Sequence, residues 1–248
     1  MTKSQINKLG EKLRKATELD TETLLRLQQV RASYDKPMSG AQTLLRGLGF
    51  EATSRLKTTN TIIEKLRRER TRLTEMQDIG GLRIVSNVDP TKQDEIVKKI
   101  VDVFPITRVI DRRNRPTHGY RAVHVIATLD ERLIEIQVRT QLQDLWAQAM
   151  ERLADEAGRE IRYGGAPQKR DEDFENLLNI SNEIAELEMT LTKLNQLFTP
   201  VPRRLASMQR EWQWHIAKLD SFRADLRGRE REIRAMLETL SMRGGAPK

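Results

Sequence analysis

The sequence predicts an α+β fold, in which a mixed β-sheet is flanked by helices and followed by a C-terminal antiparallel helical hairpin. Residues 49–165 alternate between short β-branched segments and amphipathic segments, which is typical of a sheet covered by helices. Residues 170–242 instead carry two long apolar stripes with a helical period only. Residues 1–48 also look helical, so the 248-residue chain divides into three segments.

The N-terminal segment, residues 1–48, is predicted to form helices that pack on the central segment. The apolar residues of the predicted helix faces are Leu9, Leu13, Ala16, Leu24, Leu25, Leu27 and Val30. The stretch YDKPMSG at 34–40 contains Pro37 and Gly40, and both residue types are typical of a break. We therefore expect the helical region to be interrupted there.

The central segment contains five predicted strands and three predicted helices. The strands are predicted at 50–57, 81–88, 106–112, 120–129 and 132–140, and the helices at 58–73, 93–104 and 141–156. Threonine and asparagine residues open the first of these helices, where they can cap its free N–H groups. Asp130 and Glu131 separate the last two strands, so these strands are expected to form a hairpin.

The C-terminal segment begins after Gly164-Gly165-Ala166-Pro167, a stretch that favours a linker. Beyond it, apolar residues recur at helical spacing in two runs, separated by FTPVP at 198–202. The first run is Leu177, Ile180, Ile184, Leu187, Leu191 and Leu194, and the second is Leu205, Met208, Trp212, Ile216, Leu219, Phe222 and Leu226. We expect two antiparallel helices whose stripes pack on each other or on a second subunit, with a disordered terminus RGGAPK.

The amino-acid composition favours some classes of protein and excludes others. Charged residues make up 32% of the chain and aromatic residues 4%, which favours solvated helices beside a modest core. A net charge of +8 suits an anionic partner such as a nucleotide, RNA or acidic lipid, and it also suits an ordinary soluble protein. The absence of cysteine excludes disulfides, thiolate catalysis and cysteine-based zinc sites. The polar start and the short apolar runs predict a cytoplasmic protein without a membrane partner.

Two acidic residues lie in or beside apolar strands, where an unpaired carboxylate is costly. Asp78 opens DIGGLRIV, and Glu135 lies inside IEIQVRT. One interpretation is structural, with ion pairs to Arg83 or Arg139 nearby. The other is a metal site, because carboxylates on neighbouring strands can present Mg²⁺ to a triphosphate. The two glycines after Asp78 favour the metal site, since they leave room for a bulky group beside the backbone.

Cationic and hydroxyl residues surround the start of the first central helix. Arg55 and Lys57 are two apart on a predicted strand and so face the same side. Thr61 and Lys65 are four apart on the following helix and share one face. Free N–H groups and the helix dipole favour a phosphate at this point. The four residues predict a triphosphate cradle, although the chain has no Walker A motif, whereas the arginines at 67, 68, 70 and 72 fit a solvated basic face.

A basic loop, RRNRPTHGYRAVH, leads into the fourth predicted strand. Tyr120 follows a glycine at the mouth of this strand, so its ring is expected to be exposed beside Arg112, Arg113 and Arg115. An aromatic ring among arginines can stack on a base while the arginines contact phosphates. His124 is predicted on the same strand face, and by itself it is better explained as a hydrogen-bonded strand histidine.

Four segments of the chain, in this order, resemble the synthetase domain of the RelA/SpoT family of alarmone (ppGpp) synthetases. They are RLKTTNTIIEKL, DIGGLRIV, HGYRAVH and EIQVRT followed by WA, within residues 50–165. Each motif alone is weak, but their order and gaps make the resemblance specific. The family's hydrolase His-Asp pair and its RNA-binding modules have no counterpart in the sequence. The chain therefore resembles a single-domain small alarmone synthetase, of the ordinary or the toxic type.

The resemblance implies a nucleotidyltransferase-like fold and an ATP-dependent pyrophosphokinase with Mg²⁺ as cofactor. In the implied reaction, a ribose 3′-oxygen of GDP or GTP attacks the β-phosphorus of ATP, giving (p)ppGpp and AMP. The resemblance implies that Asp78 and Glu135 bind magnesium and that Glu135 also draws the acceptor proton. For ATP, it implies adenine stacking by Arg55 and phosphate binding by Lys57, Thr61 and Lys65. For the acceptor, it implies stacking of the base on Tyr120 and a pocket lined by Arg121, His124, Gln137 and Arg139.

Two departures from the family's usual pattern touch the acceptor side. Met150-Glu151 stands where small synthetases carry Glu-His, and the loop before Tyr120 reads Arg-Pro-Thr-His where Lys and Asn are usual. Some toxic members resemble enzymes that pyrophosphorylate the 3′-terminal adenosine of tRNA, and the net positive charge fits that acceptor too. A non-catalytic nucleotide-binding or helical interaction protein is a third hypothesis. Expected partners are a second copy bound through the C-terminal helices and, for the toxic type, an antitoxin.

Overall fold

The computed structural model describes residues 1–158, 161, 172–197 and 209–243, which fall into two compact units. The first unit consists of Met1–Val85, Glu95–Asp111 and Val123–Val138, and the second of Ser86–Asp94, Arg112–Ala122 and the described residues from 139 onward. Both units are discontinuous because the chain passes from one to the other several times. The boundary expected at residue 48 does not separate the units, and the one at 165 lies outside the described residues.

Three helices open the first unit, where the sequence predicts helical structure, but Leu24 and Leu25 of the predicted apolar face are exposed. They are α1 (Lys3–Lys15), α2 (Thr21–Ala32) and α3 (Asp35–Gly47). The side chains of Thr2 and Asp20 accept hydrogen bonds from backbone N–H groups in the first turns of α1 and α2. These N–H groups have no acceptor within their own helix, so the two caps define where the helices begin.

The break expected at residues 34–40 is wrong. The interruption is confined to Ser33 and Tyr34, and α3 runs from Asp35 through Pro37 and Gly40. Proline is tolerated there because the N–H groups of the first turn have no intrahelical acceptor, so the ring removes no hydrogen bond. Gly40 faces open space, and the helix accommodates it at a small cost in backbone entropy.

A five-stranded mixed sheet lies in the first unit. Its strands are β1 (Thr53–Leu56), β2 (Gly80–Ser86), β3 (Ile106–Asp111), β4 (Val123–Leu129) and β5 (Arg132–Thr140), in the spatial order β1-β2-β5-β4-β3. The pairs β1–β2, β3–β4 and β4–β5 are antiparallel. Asp130 and Glu131 have positive φ angles of 45° and 62°, as a tight hairpin turn requires, which confirms the predicted β4–β5 hairpin.

Helices α4 (Thr59–Glu69) and α5 (Pro90–Val103) complete the regular elements around the sheet. The largest fully buried side chains come from the N-terminal helices, α4, α5, the sheet and the turn before β2: Leu13, Leu27, Leu45, Ile62, Leu66, Leu73, Met76, Ile79, Leu82, Ile84, Ile100 and Ile126. Removal of this apolar surface from water is the main stabilising contribution to the unit.

The C-terminal ends of α1 and α4 exchange hydrogen bonds. Arg67 of α4 donates to the carbonyl oxygen of Ala16 at 2.7 Å, and Arg14 of α1 donates to that of Arg70 at 3.5 Å. Cationic side chains at helix C-termini satisfy free carbonyl groups and interact favourably with the helix dipole. Arg67 and Arg70 are exposed, as the solvated basic face predicts, and the two contacts fix α4 against the N-terminal helices.

The second unit contains α6 (Gln141–Ala157), α7 (Glu172–Leu197) and α8 (Gln209–Arg243). Its core joins all three helices through Leu142, Trp146, Ala147, Ala149, Met150, Ala154, Ile161, Leu177, Ile180, Ile184, Leu187, Ile233 and Leu237. Among the described residues, no helix combines the length and the apolar character that crossing a membrane requires.

Side-chain contacts give the direction of α7 relative to α6. Thr140, which caps the start of α6, donates to Glu188 in the second half of α7. Trp146, further along α6, donates from its indole nitrogen to the carbonyl oxygen of Leu177 near the start of α7. The two helices are therefore antiparallel.

Helix α8 runs parallel to α6. Arg234 bonds to Gln141 at the start of α6, and Ser241, further along α8, bonds to Arg152 near the end of α6. Since α6 and α7 are antiparallel, α7 and α8 are antiparallel as well. This confirms the C-terminal helical hairpin.

The apolar stripe predicted on α7 is buried apart from Leu191, which is partly buried, but part of the stripe predicted on α8 is wrong. Phe222 is 44% exposed, whereas Ile233 and Leu237 are fully buried. Because α6 begins at the level of Arg234, Phe222 lies about three turns too early to reach it. The linker at 164–167, the break at 198–202, Leu205, Met208 and the terminus after 243 lie outside the described residues, and homo-oligomer formation remains a prediction.

Candidate active site

Two lysines and one aspartate meet at the start of α4. Lys57 directly follows β1, and its N–H donates to the carbonyl oxygen of Ile79 at 2.8 Å, which continues the β1–β2 ladder. Lys65 lies in the second turn of α4, and Asp78 lies two residues before β2. The ammonium groups of both lysines donate to Oδ2 of Asp78 at 2.9 Å. The sequence predicts Lys57 and Lys65 in a triphosphate cradle and Asp78 in a separate metal site. In the structure the three side chains form one cluster, which we call the lysine–aspartate cluster.

The charges of the lysine–aspartate cluster keep one another ionised. Burial acts to raise the pKa of Asp78, but the charges and hydrogen bonds of Lys57 and Lys65 outweigh burial and lower this pKa below 3.8. Burial acts to lower the pKa of Lys65, and Asp78 outweighs it, so that this pKa lies above 10.5. Lys65 also pairs with Glu69, with Nζ 3.6 Å from Oε2. The two ammonium groups are cationic hydrogen-bond donors of the kind that bind a phosphate group.

The second carboxylate oxygen of Asp78 fits a cation. Oδ1 is buried and has no hydrogen-bond partner among the described residues. A buried oxygen without a partner is costly, and a hard divalent cation would satisfy it. Within the described part of the chain, no three acidic, histidine or cysteine side chains gather as a complete metal site. A cation at Asp78 therefore needs further ligands such as phosphate oxygens and water.

The start of α4 is held by its own cap and by α2. The N–H of Thr61 donates to the Thr58 hydroxyl at 3.3 Å, and the Thr61 hydroxyl donates to the Thr58 carbonyl oxygen at 3.0 Å. Arg31 of α2 donates through Nε to the carbonyl oxygen of Lys57 at 2.9 Å and through Nη1 to the Thr59 hydroxyl at 3.4 Å. Sequence reasoning missed Arg31, because it lies 26 residues before Lys57 and no local pattern marks it.

Arg55 and the two glycines of β2 lie on neighbouring strands. Arg55 is exposed on β1, opposite Gly81 in the antiparallel register. A Cβ atom on Gly80 would lie 2.8 Å from Cδ1 of Tyr34 and 2.9 Å from Sδ of Met38. These distances are too short for a side chain, so Gly80 lets α3 pack on β2. This corrects the expectation that a ligand fills the room beside this glycine.

Glu135 is held by two neighbours on the face of the sheet. Nδ1 of His124 on β4 lies 2.7 Å from Oε1, and Nε2 of Gln137 donates to Oε2 at 2.8 Å. Burial acts to raise the pKa of Glu135, but His124 and Gln137 outweigh it and lower this pKa below 4.5, while Asp78 acts in the opposite sense. The carboxylate is therefore ionised near neutral pH. The partners differ from the expected Arg83 and Arg139: Asp78 forms ion pairs with two lysines, and Glu135 forms hydrogen bonds with His124 and Gln137.

Tyr120 lies before β4, which corrects the strand predicted from residue 120. β4 begins at Val123, and the residues before Tyr120 form a tight turn in which His118 and Gly119 have positive φ angles of 50° and 79°. Two successive left-handed residues cannot continue a strand. Tyr120 and His124 therefore do not share a strand face.

In the second unit, Arg139 joins Tyr120 to Asp144. Its Nη2 donates to the Tyr120 hydroxyl at 2.9 Å, and its Nη1 donates to Oδ1 of Asp144 at 2.8 Å. The guanidinium carbon lies 5.1 Å from the centroid of the Tyr120 ring, within cation–π range. Burial acts to lower the pKa of Arg139, and Tyr120 and Asp144 outweigh it and raise this pKa. The tyrosine ring is thus held by a permanently charged partner. It is also partly buried against the core of the second unit, so the expectation of an exposed ring is wrong.

The predicted site residues fall into two sets. The first unit contains Arg55, Lys57, Thr61, Lys65, Asp78, His124, Glu135 and Gln137, and the second unit contains Tyr120, Arg121 and Arg139. Arg121 bonds to Ser181 and Asn182 on α7. Sequence reasoning missed these two residues, which lie about sixty positions further along the chain.

A family model confirms the resemblance seen in the four motifs. Residues 54–154 match the region found in RelA and SpoT proteins. Over 120 residues the chain is 42% identical to the uncharacterized protein Rv1366 of Mycobacterium tuberculosis and to the uncharacterized protein Mb1401 of Mycobacterium bovis. Each match covers 47% of this chain and 44% of the relative, so the chain spans less than half of the length of these curated relatives.

Two solved structures share the fold. Small alarmone synthetase 1 from Bacillus subtilis matches with a TM-score of 0.51 at 23% identity, covering 73% of this chain and 97% of that chain. The same protein bound to its product pppGpp matches with a TM-score of 0.50 at 24% identity, covering 69% and 93%. At these identities the likeness establishes the fold, and it confirms the predicted mixed sheet flanked by helices.

Proposed function

We propose that the protein is an ATP-dependent pyrophosphokinase, because residues 54–154 match the region found in RelA and SpoT proteins. The 3′-oxygen of the ribose of GDP or GTP attacks the β-phosphorus of ATP. The bond between that phosphorus and the oxygen bridging to the α-phosphate breaks, so AMP leaves and the acceptor gains the β,γ-pyrophosphate. The observation that carries this proposal is the lysine–aspartate cluster at the start of α4.

Lys57, Thr61 and Lys65 hold the phosphates of ATP in this proposal. The two ammonium groups that share the Asp78 carboxylate supply cationic hydrogen-bond donors for the phosphate oxygens. The start of α4 adds the positive end of a helix dipole. Arg55, exposed on the strand that leads to Lys57, stacks on the adenine ring.

Asp78 and Glu135 are the residues that would hold Mg²⁺. The buried Oδ1 of Asp78, which has no partner among the described residues, supports this role. When bound, the ion neutralises charge on the phosphate oxygens as transfer proceeds.

Glu135 accepts the proton of the acceptor 3′-hydroxyl in this proposal. The carboxylate must be ionised to do so, and its lowered pKa supports that state near neutral pH. His124 and Gln137 each contact one carboxylate oxygen and so orient Glu135.

Tyr120 stacks on the base of the acceptor, with Arg139 beside it, while Arg121 is buried and bonded to α7. Arg139 bonds to the Tyr120 hydroxyl and lies over its ring, which fixes the ring for stacking. A guanine nucleotide is the first choice of acceptor, since small alarmone synthetase 1 of Bacillus subtilis, which shares the fold, has been solved with its product pppGpp.

The test is product analysis with ATP, Mg²⁺ and one acceptor at a time, chosen from GDP, GTP, ATP and tRNA. We expect AMP and a pyrophosphorylated guanine nucleotide. Glu135→Gln should lower kcat by about 10²–10³-fold with an unchanged circular dichroism spectrum, because the charge that receives the proton is lost. Glu131→Gln, in the exposed β4–β5 turn, is the matched control and should keep full activity.

Each other outcome has a defined meaning. Absence of AMP with every acceptor, in a folded sample, would leave a non-catalytic nucleotide-binding or interaction protein. If label is transferred to tRNA alone and the tRNA can no longer be aminoacylated, the acceptor is the tRNA 3′ end and not a guanine nucleotide. The expected partner is then an antitoxin. Full turnover by Glu135→Gln contradicts the role of this carboxylate.

A further inference from the structure

The loop that carries Tyr120 is fastened to helix α7. We call residues 112–122 the acceptor loop. The hydroxyl of Ser181 donates to the carbonyl oxygen of Gly119 at 2.6 Å. The Arg121 guanidinium donates through Nε to the carbonyl oxygen and hydroxyl of Ser181 at 3.1 and 3.0 Å, and through Nη2 to Oδ1 of Asn182 at 2.9 Å. Both residues that flank Tyr120 are thus bonded to consecutive residues of α7.

Burial makes these contacts costly to lose. Ser181 is 1% exposed and Arg121 is 9% exposed. A buried guanidinium without partners is strongly unfavourable, so Arg121 stays in place only while its acceptors are present. Ser181 supplies two of these acceptors and also holds Gly119. The loop and α7 therefore behave as one hydrogen-bonded assembly.

Close packing also holds the acceptor loop. A Cβ atom on Gly119 would lie 2.6 Å from Cζ2 of Trp146 and 3.1 Å from Cδ2 of Leu178. The backbone at Gly119 consequently lies directly against the side chains of α6 and α7. The indole nitrogen of Trp146 donates to the carbonyl oxygen of Leu177, which joins those two helices under the loop. No larger residue than glycine fits without moving the loop.

We propose that Ser181 and Asn182 are positioning residues that set acceptor binding by holding Gly119 and Arg121 on either side of Tyr120. The inference rests on the proposed function, in which the Tyr120 ring stacks on the acceptor base. With both flanking residues fixed and the hydroxyl held by Arg139, the ring is preorganised for stacking. Helix α7 then determines acceptor affinity and leaves ATP binding unchanged, since the ATP-binding residues belong to the other unit.

The test compares KM values for the acceptor and for ATP in purified variants of the full chain. Ser181→Ala and Asn182→Ala should each raise the acceptor KM by about threefold to tenfold per lost hydrogen bond, with the KM for ATP unchanged. Asn182→Asp keeps an acceptor oxygen for Arg121 and should restore the wild-type KM. A purely structural role would move both KM values together.

Two substitutions on the same helix serve as controls. Thr190→Ala removes a hydroxyl that bonds to the Glu186 carbonyl oxygen of its own helix, and Asn179→Ala removes an exposed amide one turn before Asn182. Neither should change the KM for the acceptor.

Hydrogen–deuterium exchange provides a readout that does not depend on turnover. Ser181→Ala should speed exchange of the amides of residues 112–122, while Thr190→Ala should not. If the wild-type enzyme is active, but Ser181→Ala and Asn182→Ala keep wild-type loop exchange and a wild-type acceptor KM, the positioning role alone is overturned. A folded wild-type chain that transfers nothing to any acceptor overturns the proposed function, and with it the effect on acceptor binding.

Discussion

Asp78→Asn tests the lysine–aspartate cluster most directly, because it removes the negative charge and keeps the shape of the side chain. Each ammonium group lies 2.9 Å from Oδ2, and the three side chains are 19–22% exposed. At that separation, one pair has a gross attraction of about 6 kcal/mol at an effective dielectric constant of about 20. Most of this attraction offsets the cost of removing the charges from water. For two charge-assisted hydrogen bonds at a partly exposed site, we expect a net loss of about 2–4 kcal/mol in unfolding free energy.

Each single lysine substitution should lower the free energy of unfolding by less than the aspartate substitution does. In Lys57→Met or Lys65→Met the carboxylate keeps one ammonium partner, so we expect a loss of about 1–2 kcal/mol each. The assay is urea unfolding followed by circular dichroism, without magnesium or nucleotide. Asp130→Asn is the matched control, because its ion pair with Lys36 is exposed and should change stability by no more than about 0.5 kcal/mol.

The ranking of the variants by unfolding free energy tests the proposed pairing within the lysine–aspartate cluster. An Asp78→Asn variant as stable as the wild type would refute the reasoning, since two lysines would then tolerate the loss of their shared carboxylate. A Lys57→Met variant that loses as much as Asp78→Asn would also refute it, because the remaining lysine should still neutralise the carboxylate.

Three further substitutions test other parts of the molecule. Burial raises the pKa of Glu188 above 4.5, so its ionised form destabilises the folded state above that raised pKa and the cost disappears below 4.5. Wild-type stability relative to Glu188→Gln in urea unfolding should therefore rise as the pH is lowered from neutral toward 4.5, and a fall would contradict the assignment. Gly119→Ala forces a φ of 79° on alanine and crowds Trp146, so thermal unfolding should show a loss of about 2–4 kcal/mol, and an unchanged midpoint would contradict the contact. Arg31→Met removes the hydrogen bond to the Lys57 carbonyl oxygen, so the KM for ATP should rise up to about tenfold with the acceptor KM unchanged. Equal changes in both KM values would assign Arg31 to general stability.

Local signals in the sequence account for most of the fold. Thr58 and Thr140 stand where the patterns of α4 and α6 begin, and both cap those helices in the structure. Asp130 and Glu131 stand between two alternating apolar runs and form the β4–β5 turn. Caps, turns and side-chain periodicity involve residues only a few positions apart, so they can be predicted without knowledge of the rest of the chain.

Predictions failed where the effect of a residue depends on its exact place in an element or on the side chains packed against it. Pro37 suggested a break, but it falls in the first turn of α3, where its missing N–H has no intrahelical acceptor. Tyr120 was expected on a strand, but the positive φ angles of His118 and Gly119 make the preceding residues a turn. Gly80 suggested an approaching ligand, yet it accommodates the side chain of Tyr34.

Sequence patterns alone predict the fold class, the order of the elements and a set of charged candidates, because an ionisable residue beside apolar strands needs a partner wherever it lies. The tertiary structure alone decided the partners. The decisive pairs are Lys65–Asp78, 13 residues apart, Arg31–Lys57, 26 apart, and Arg121–Ser181, 60 apart. Helical and strand periods relate residues within a few positions and carry no information about such distances. Only the packing of α2, α4 and α7 against their neighbours brings these polar groups within hydrogen-bonding range.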